Sequence, residues 1–164
     1  MAKAARNTTK TNAARLLEHA GISFELIPYT VDESNLAADH VAEELGEDIR
    51  RVFKTLVLEG TGGAGHFVCV VPGDCEVDLK KAATTAGAKK AELIPIKELL
   101  PLTGYIRGGC SPIGMKKPFP IFFHRTATDF DHIFVSAGVR GLQLKINPSD
   151  LIAFTSASTA DLVK

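Results

Sequence analysis

Two stretches of this chain hold residues whose types and spacing could do chemistry. The first is Tyr105-Ile106-Arg107-Gly108-Gly109-Cys110-Ser111-Pro112-Ile113-Gly114-Met115-Lys116-Lys117-Pro118. Glycine has no Cβ and permits φ > 0, so another backbone or a ligand can come close. Pro112 stiffens the loop and restricts Ser111 before it. A rigid loop of this kind turns backbone N–H groups outward, where they can hold a phosphate, a carbonyl oxygen or a developing oxyanion. The alternative is a tight connection between strands, in which the glycines serve only the turns. The second stretch is Phe53-Lys54-Thr55-Leu56-Val57-Leu58, a strand pattern with one lysine among apolar residues. Period two places Val52, Lys54, Leu56 and Leu58 on one face. A lysine on such a face reaches solvent at a sheet edge, or a partner, or a ligand. In a cleft, Lys54 would be a fixed positive charge suited to phosphate, ribose or a carbonyl.

Nucleophiles are present, but no arrangement around them is evident. Cys110 and Ser111 lie in the glycine loop, yet a nucleophile needs a base beside it. His19, His40, His66, His124 and His132 are scattered, and the loop reads Gly-Cys-Ser-Pro-Ile-Gly rather than GxSxG. Asp129 and Asp131, like Glu43 and Glu44, read as solvated surface charges. The basic pair Lys116-Lys117 follows directly on the glycine loop. If the loop holds a ligand, these charges suit a phosphodiester backbone. The run Gly60-Thr61-Gly62-Gly63-Ala64-Gly65 matches neither GxxxxGK[ST] nor a GxGxxG that opens a helix, so it reads as a hairpin loop.

Composition narrows the classes. At 164 residues the chain has the length of one domain, taken as residues 11–164 behind a flexible lead at 1–10. Nineteen basic residues balance nineteen acidic ones. A dedicated nucleic-acid binder is usually basic, so any RNA contact here is local or helped by a partner. No apolar run reaches membrane-spanning length, and no apolar segment follows the basic N-terminus as in a secretory signal. Three cysteines without framework spacing, and no His/Cys cluster, point to reduced thiols in a cytoplasm rather than to disulfides or zinc.

The elements that must position these residues are short. Thr11 or Asn12 caps a helix to His19 that Gly21 ends, and a strand runs over 22–29. A helix over 36–45 is closed by Gly46. Strands over 52–59 and 66–71 form a hairpin. Asp78 caps a third helix with Leu79, Ala82, Ala83 and Ala86 on one face, closed by Gly87. A strand over 89–94 precedes a short helix over 95–100. Strands follow at 119–124, 132–136 and 142–146, and Asn147 starts a last short helix. This mixture predicts an α/β fold in which a curled, largely antiparallel mixed sheet approaches a barrel, with helices around it.

Taken in order, Phe53-Lys54-Thr55-Leu56, Asp78-Leu79-Lys80-Lys81 through Gly87-Ala88-Lys89-Lys90, Thr103-Gly104-Tyr105, Gly108 through Lys117, and Val135-Ser136-Ala137-Gly138-Val139-Arg140-Gly141-Leu142 form a familiar set. It resembles the YbaK-type (YbaK/EbsC-like) aminoacyl-tRNA deacylases, or Cys-tRNA(Pro) deacylases, from about Thr11 to Leu162. These are related to the editing domain inserted in bacterial prolyl-tRNA synthetases. The resemblance implies a prolyl-tRNA editing domain-like fold and a free-standing cytoplasmic module. Such a module removes a mischarged amino acid, mainly cysteine, from the tRNA 3′ aminoacyl end. It implies no metal and no cofactor, no membrane, and prolyl-tRNA synthetase as a partner. It also implies catalytic roles for Lys54 and for the Gly108–Gly109 region, and substrate contacts for Tyr29, Thr55, Ser111, Ser136, Gln143, Lys116 and Lys117. Two positions depart from it: Leu36 or Ala37 stands where relatives often carry phenylalanine, and Gln143 where some carry aspartate. Two other readings stay open: a deacylase for Ala-tRNA(Pro) or another small amino acid, and a non-catalytic module that binds tRNA or a synthetase.

Overall fold

The computed structural model describes residues 10–164, so the lead at 1–10 falls almost wholly outside the described residues. Local sequence sets the helix ends. In α1 (Asn12–His19) the Thr11 side chain accepts from the Ala14 N–H at 3.2 Å, and Gly21 takes φ +74° just past the end. After β1 (Phe24–Pro28), α2 (Ala38–Leu45) ends at Gly46 in the left-handed region. A 3₁₀ turn capped by Asp48 leads into the hairpin of β2 (Phe53–Gly60) and β3 (Gly65–Pro72). Asp78 caps α3 (Leu79–Ala86) by accepting from the N–H groups of Lys80 and Lys81, both at 3.0 Å. The short β4 (Ala91–Leu93) and a 3₁₀ turn lead to α4 (Leu99–Thr103). Then come β5 (Ile121–His124), β6 (Ile133–Ser136), β7 (Leu142–Ile146), α5 (Pro148–Phe154) and β8 (Ser158–Ala160). The short strand β8 is the one strand that the sequence pattern does not signal.

The strands form two sheets. One has the order β1-β7-β6 and is antiparallel throughout; the other has the order β4-β2-β3-β5-β8, with parallel pairing only at β3–β5 and β5–β8. A single parallel bridge, Val52↔Phe134, joins them. The mixed, largely antiparallel arrangement is as expected, and the barrel-like form stops at two sheets that do not close. Among the described residues, β1 and β8 stay as outer edges, with no strand pairing between them.

Alternation along β2 divides the interior. Phe53 and Val57 face the main core between the sheets, with Val68, Val70, Phe123, Val135 and Leu144. Leu58 packs on the other face against Phe67, Val71, Ala82, Ala83 and Leu162, where α3 covers the larger sheet. Ala82 and Ala83 are buried as the helical spacing predicts, whereas Leu79, at the first position of α3, lies partly exposed. A third, smaller cluster joins Val41 and Ala42 of α2 to Val52 and Phe134 at the inter-sheet bridge. It anchors α2 beside the place where the two sheets meet.

Because Asp78 satisfies two N–H groups that a helix start leaves free, Asp78→Ala is expected to lower stability by about 1 kcal/mol. A denaturant midpoint that moves with an unchanged slope would confirm a cap effect; no movement would remove the cap from the account.

Candidate active site

The site grows out of a gap in strand pairing. On one side β2 pairs continuously with β3. On the other, β4 reaches it only at Leu58, Glu59 and Gly60, with one further bond from the Ile94 N–H to the Val57 carbonyl at 3.1 Å. β6 pairs along this edge only at Val52, the residue just before β2. The segment Lys54–Leu56 thus has an open edge between the two contacts. Val57 turns its carbonyl to the β4 side, and Val52 accepts from the Gly73 N–H on the β3 side at 2.7 Å. The alternation of an antiparallel strand then turns the backbone N–H and C=O of Thr55 to the open edge.

A cavity of about 730 Å³ fills this gap. Lys54, Thr55 and Leu56 form its strand wall. Leu36 and Ala37, just before α2, form a second wall, and Arg107, Gly108 and Cys110 of the glycine loop a third. Ser136 and Gln143, cross-strand partners on β6 and β7, line it as well. Leu93 and Ile96 stand at it with half or more of their surface exposed.

Lys54 is half-buried, and its ammonium makes no ion pair or hydrogen bond with any described residue. Two buried acceptors on the same cavity, Thr55 Oγ1 and Gln143 Oε1, also lack protein partners. Unpartnered polar atoms of this kind cost about 1–3 kcal/mol each unless the cavity's occupant satisfies them. Gly108 holds φ +85°, and a Cβ built there would lie 3.3 Å from Leu36 Cδ2 and 3.4 Å from Arg140 Nε. A side chain there is strained by the backbone conformation and would also press on the ends of the Leu36 and Arg140 side chains.

Several sequence-derived candidates sit elsewhere. The Gly109 N–H already donates to the Ile106 carbonyl at 2.9 Å, and a Cβ there would meet the backbone of Val139 and Arg140 at 3.0 Å. Gly109 thus shapes the loop, while Gly108 faces the cavity. Ser111 is fully buried, and its hydroxyl accepts from the Ile113 N–H at 3.3 Å. Tyr29 packs in the small cluster beside α2, and its N–H donates to the Gly141 carbonyl. Lys116 and Lys117 are exposed and do not line the cavity, because the chain turns away at Pro112–Gly114. Conversely, Asp39, Asp74, Arg107 and Ile96 line the cavity without having been singled out. Arg107 adjoins Gly108, and that adjacency was the available signal; the others reach the cavity only through tertiary packing.

Reactive side chains are scarce. None of the five histidines lines the cavity. Burial pushes the Cys110 thiol up to about 12, against a smaller opposing effect from its hydrogen bond with Thr103. At neutral pH Cys110 is a protonated, apolar wall residue. What remains is a cavity whose lining balances Lys54 and Arg107 against Asp39 and Asp74, with an ammonium that makes no ion pair among the described residues, a glycine wall and unpartnered acceptors. It suits polarising and orienting a bound ester rather than attacking it.

Comparison with known proteins fits this arrangement. The family model described as the aminoacyl-tRNA editing domain matches residues 32–154. The chain is 44% identical over 153 residues, 93% of each chain, to "Putative Cys-tRNA(Pro)/Cys-tRNA(Cys) deacylase EbsC" of Enterococcus faecalis. It is 28% identical to the proline–tRNA ligase of Cupriavidus necator over 83% of its own length and 24% of the ligase, so it corresponds to about a quarter of that enzyme. A solved structure described as "a putative trans-editing enzyme for prolyl tRNA synthetase" superposes with a TM-score of 0.82 at 25% identity, covering 95% of this chain and 99% of that one. The chain belongs to the aminoacyl-tRNA editing domain family.

The buried thiols give a direct check. Cys69 and Cys110 are buried, with burial raising each thiol to about 12, whereas Cys75 is partly exposed. A thiolate-directed alkylating reagent near neutral pH is expected to modify only Cys75 in the folded protein and all three cysteines after denaturation, as read by mass spectrometry. Rapid labelling of Cys110 in the folded state would restore it as a candidate nucleophile.

Proposed function

We propose that this chain is a free-standing, trans-editing aminoacyl-tRNA deacylase that releases cysteine from Cys-tRNA(Pro), and also from Cys-tRNA(Cys). A single editing domain over residues 11–164 carries the activity, in the cytoplasm, with prolyl-tRNA synthetase as the partner that presents the mischarged tRNA. The observation that carries the reading is Lys54: a half-buried ammonium without a carboxylate partner, on the wall of a cavity that Gly108 also lines. Family membership and the name of the E. faecalis relative support the substrate class. The balanced net charge fits a module that reads only the 3′ end of the tRNA.

The absence of an activated nucleophile on the cavity wall supports attack by the substrate itself. In the proposed reaction the cysteinyl sulfur attacks the ester carbonyl carbon. A C–S bond forms, the bond from that carbon to the ribose oxygen breaks, and the thiol proton ends on the departing ribose hydroxyl. The products are a cysteine thiolactone and free tRNA. Well-oriented intramolecular attack gains up to ~7–11 kcal/mol from orientation alone. The protein's share is to hold the ester with Lys54 and the Thr55 edge, and to meet the developing oxyanion at the Gly108 wall.

Single-turnover cleavage of Cys-, Ser- and Ala-tRNA(Pro) tests this. Cysteine is expected to leave at least ten times faster than serine, and thiolactone should appear among the products. Equal rates for all three without thiolactone would replace substrate attack by an enzyme-held water, for which Asp39 or Asp74 would be the base to examine. Binding without cleavage of any of them would make the chain a tRNA-binding module instead.

A further inference from the structure

The glycine loop can serve the cavity only if it is held, and its sequence gives it little stiffness of its own. Gly108 and Gly109 adjoin Arg107, and Gly108 holds a conformation outside the range that side chains favour. Most of its hydrogen bonds are local. The Tyr105 N–H donates to Thr103 Oγ1 at 3.0 Å, the Tyr105 hydroxyl donates to the Ile113 carbonyl, and the Gly109 N–H donates to the Ile106 carbonyl. Among the described residues, one hydrogen bond reaches the 105–110 segment from a distant part of the chain. Arg140 Nε donates to the Arg107 carbonyl at 2.9 Å, across 33 residues.

Arg140 stands on the tight turn between β6 and β7, and that turn is packed against the loop. A Cβ on Gly109 would lie 3.0 Å from the Arg140 nitrogen, and one on Gly138 would lie 3.0 Å from the Tyr105 ring. The same side chain also reaches the segment that leads to Leu36: Arg140 Nη1 lies 3.6 Å from the Glu33 carboxylate. The two contacts differ in kind. Glu33 is 81% exposed, so its ion pair contributes little. The Nε bond is to a backbone carbonyl beside the residue that lines the cavity, and a guanidinium offers a fixed donor there that an ammonium does not.

The geometry points to Arg140 as a positioning residue for the deacylation reaction: its Nε–H fixes the Arg107 carbonyl and so sets the placement of Gly108 on the cavity wall. The inference rests on the proposed activity for its kinetic consequence but not for its structural one. Three consequences follow. Loss of the Nε donor frees the loop while the turn and the sheets stay folded. The rate constant of bound substrate falls while half-saturation changes little, since the loop acts on the developing oxyanion more than on the ground state. Finally, removal of the ion pair with Glu33 does neither.

The experiment combines hydrogen exchange and single-turnover kinetics on the full chain for Arg140→Ala, Arg140→Lys and Glu33→Gln, each shown to be folded by circular dichroism. Arg140→Ala and Arg140→Lys are expected to speed exchange of the Gly109 amide at least tenfold. Both should slow cleavage of Cys-tRNA(Pro) at least tenfold at saturation, with less than threefold change in half-saturation. Ethylguanidinium should restore part of the rate to Arg140→Ala, and Glu33→Gln should stay within twofold of the wild type in every measurement. Unchanged Gly109 exchange in the Arg140 variants, or a Glu33→Gln variant that matches Arg140→Ala, would overturn the inference. If the wild type cleaves no aminoacyl-tRNA, the proposed activity fails, and the exchange comparison alone still decides whether Arg140 holds the loop.

Discussion

The site depends on how the two sheets meet. They share one bridge, Val52↔Phe134, and then part; on the same edge of β2 the pairing with β4 does not begin until Leu58. Between these points a strand in the middle of a sheet keeps an unpaired edge. Buried backbone groups are nearly always paired, so such an edge needs either solvent or a polar occupant. Here it opens on a cavity that also receives Lys54 and the unpartnered atoms of Thr55 and Gln143. Had β4 been two residues longer, or had the β2–β6 bridge extended into a ladder, backbone pairing would have closed the gap.

The rest of the molecule keeps that gap open and shaped. The main core fixes the inner faces of both sheets, and the small cluster of Val41, Ala42, Val52 and Phe134 holds α2 where its leading residues wall the cavity. The turn between β6 and β7 supports two walls at once. It meets the glycine loop through Arg140 and Gly138, and the segment before α2 through the bond from the Tyr29 N–H to the Gly141 carbonyl. Charge follows the same plan. Lys54 forms no ion pair with the cavity's carboxylates, Asp39 and Asp74, so its charge stays open to an anionic or polarised ligand. An amide at Gln143 adds no negative charge to the cavity.

Much of this was legible in the sequence where one residue broke a local rule. Lys54 interrupts an otherwise apolar strand, Gly108 sits in a dense glycine run, and Asp78, Gly46 and Gly87 mark helix ends by their chemistry. Ser136 and Gln143 were recognisable only through family resemblance, because nothing local distinguishes a serine or glutamine that lines a cavity from one that caps a turn. Adjacency in sequence did not indicate distance from the cavity for Lys116 and Lys117, which the proline and glycine before them carry away from it. Nor did it indicate that the Gly109 N–H is paired inside its own loop. Asp39, Asp74 and Ile96 were hidden because their proximity is created by tertiary packing. That the sheets do not close into a barrel was hidden for a similar reason: closure depends on which strands end up at the edges, and the periodicity of single strands does not encode that. The three-residue β8 was too short to give a pattern of its own.

The central claim is that Lys54 supplies the charge on which ester cleavage depends. Its most direct test is the single-turnover rate of Cys-tRNA(Pro) deacylation by Lys54→Ala, measured beside circular dichroism and a denaturant melt. Lys54 packs little apolar surface, so the fold is expected to survive. The rate is expected to fall by about 100-fold or more, the scale seen when one preorganised stabilising group is removed from a developing charge. A folded Lys54→Ala protein that cleaves at the wild-type rate would contradict the account.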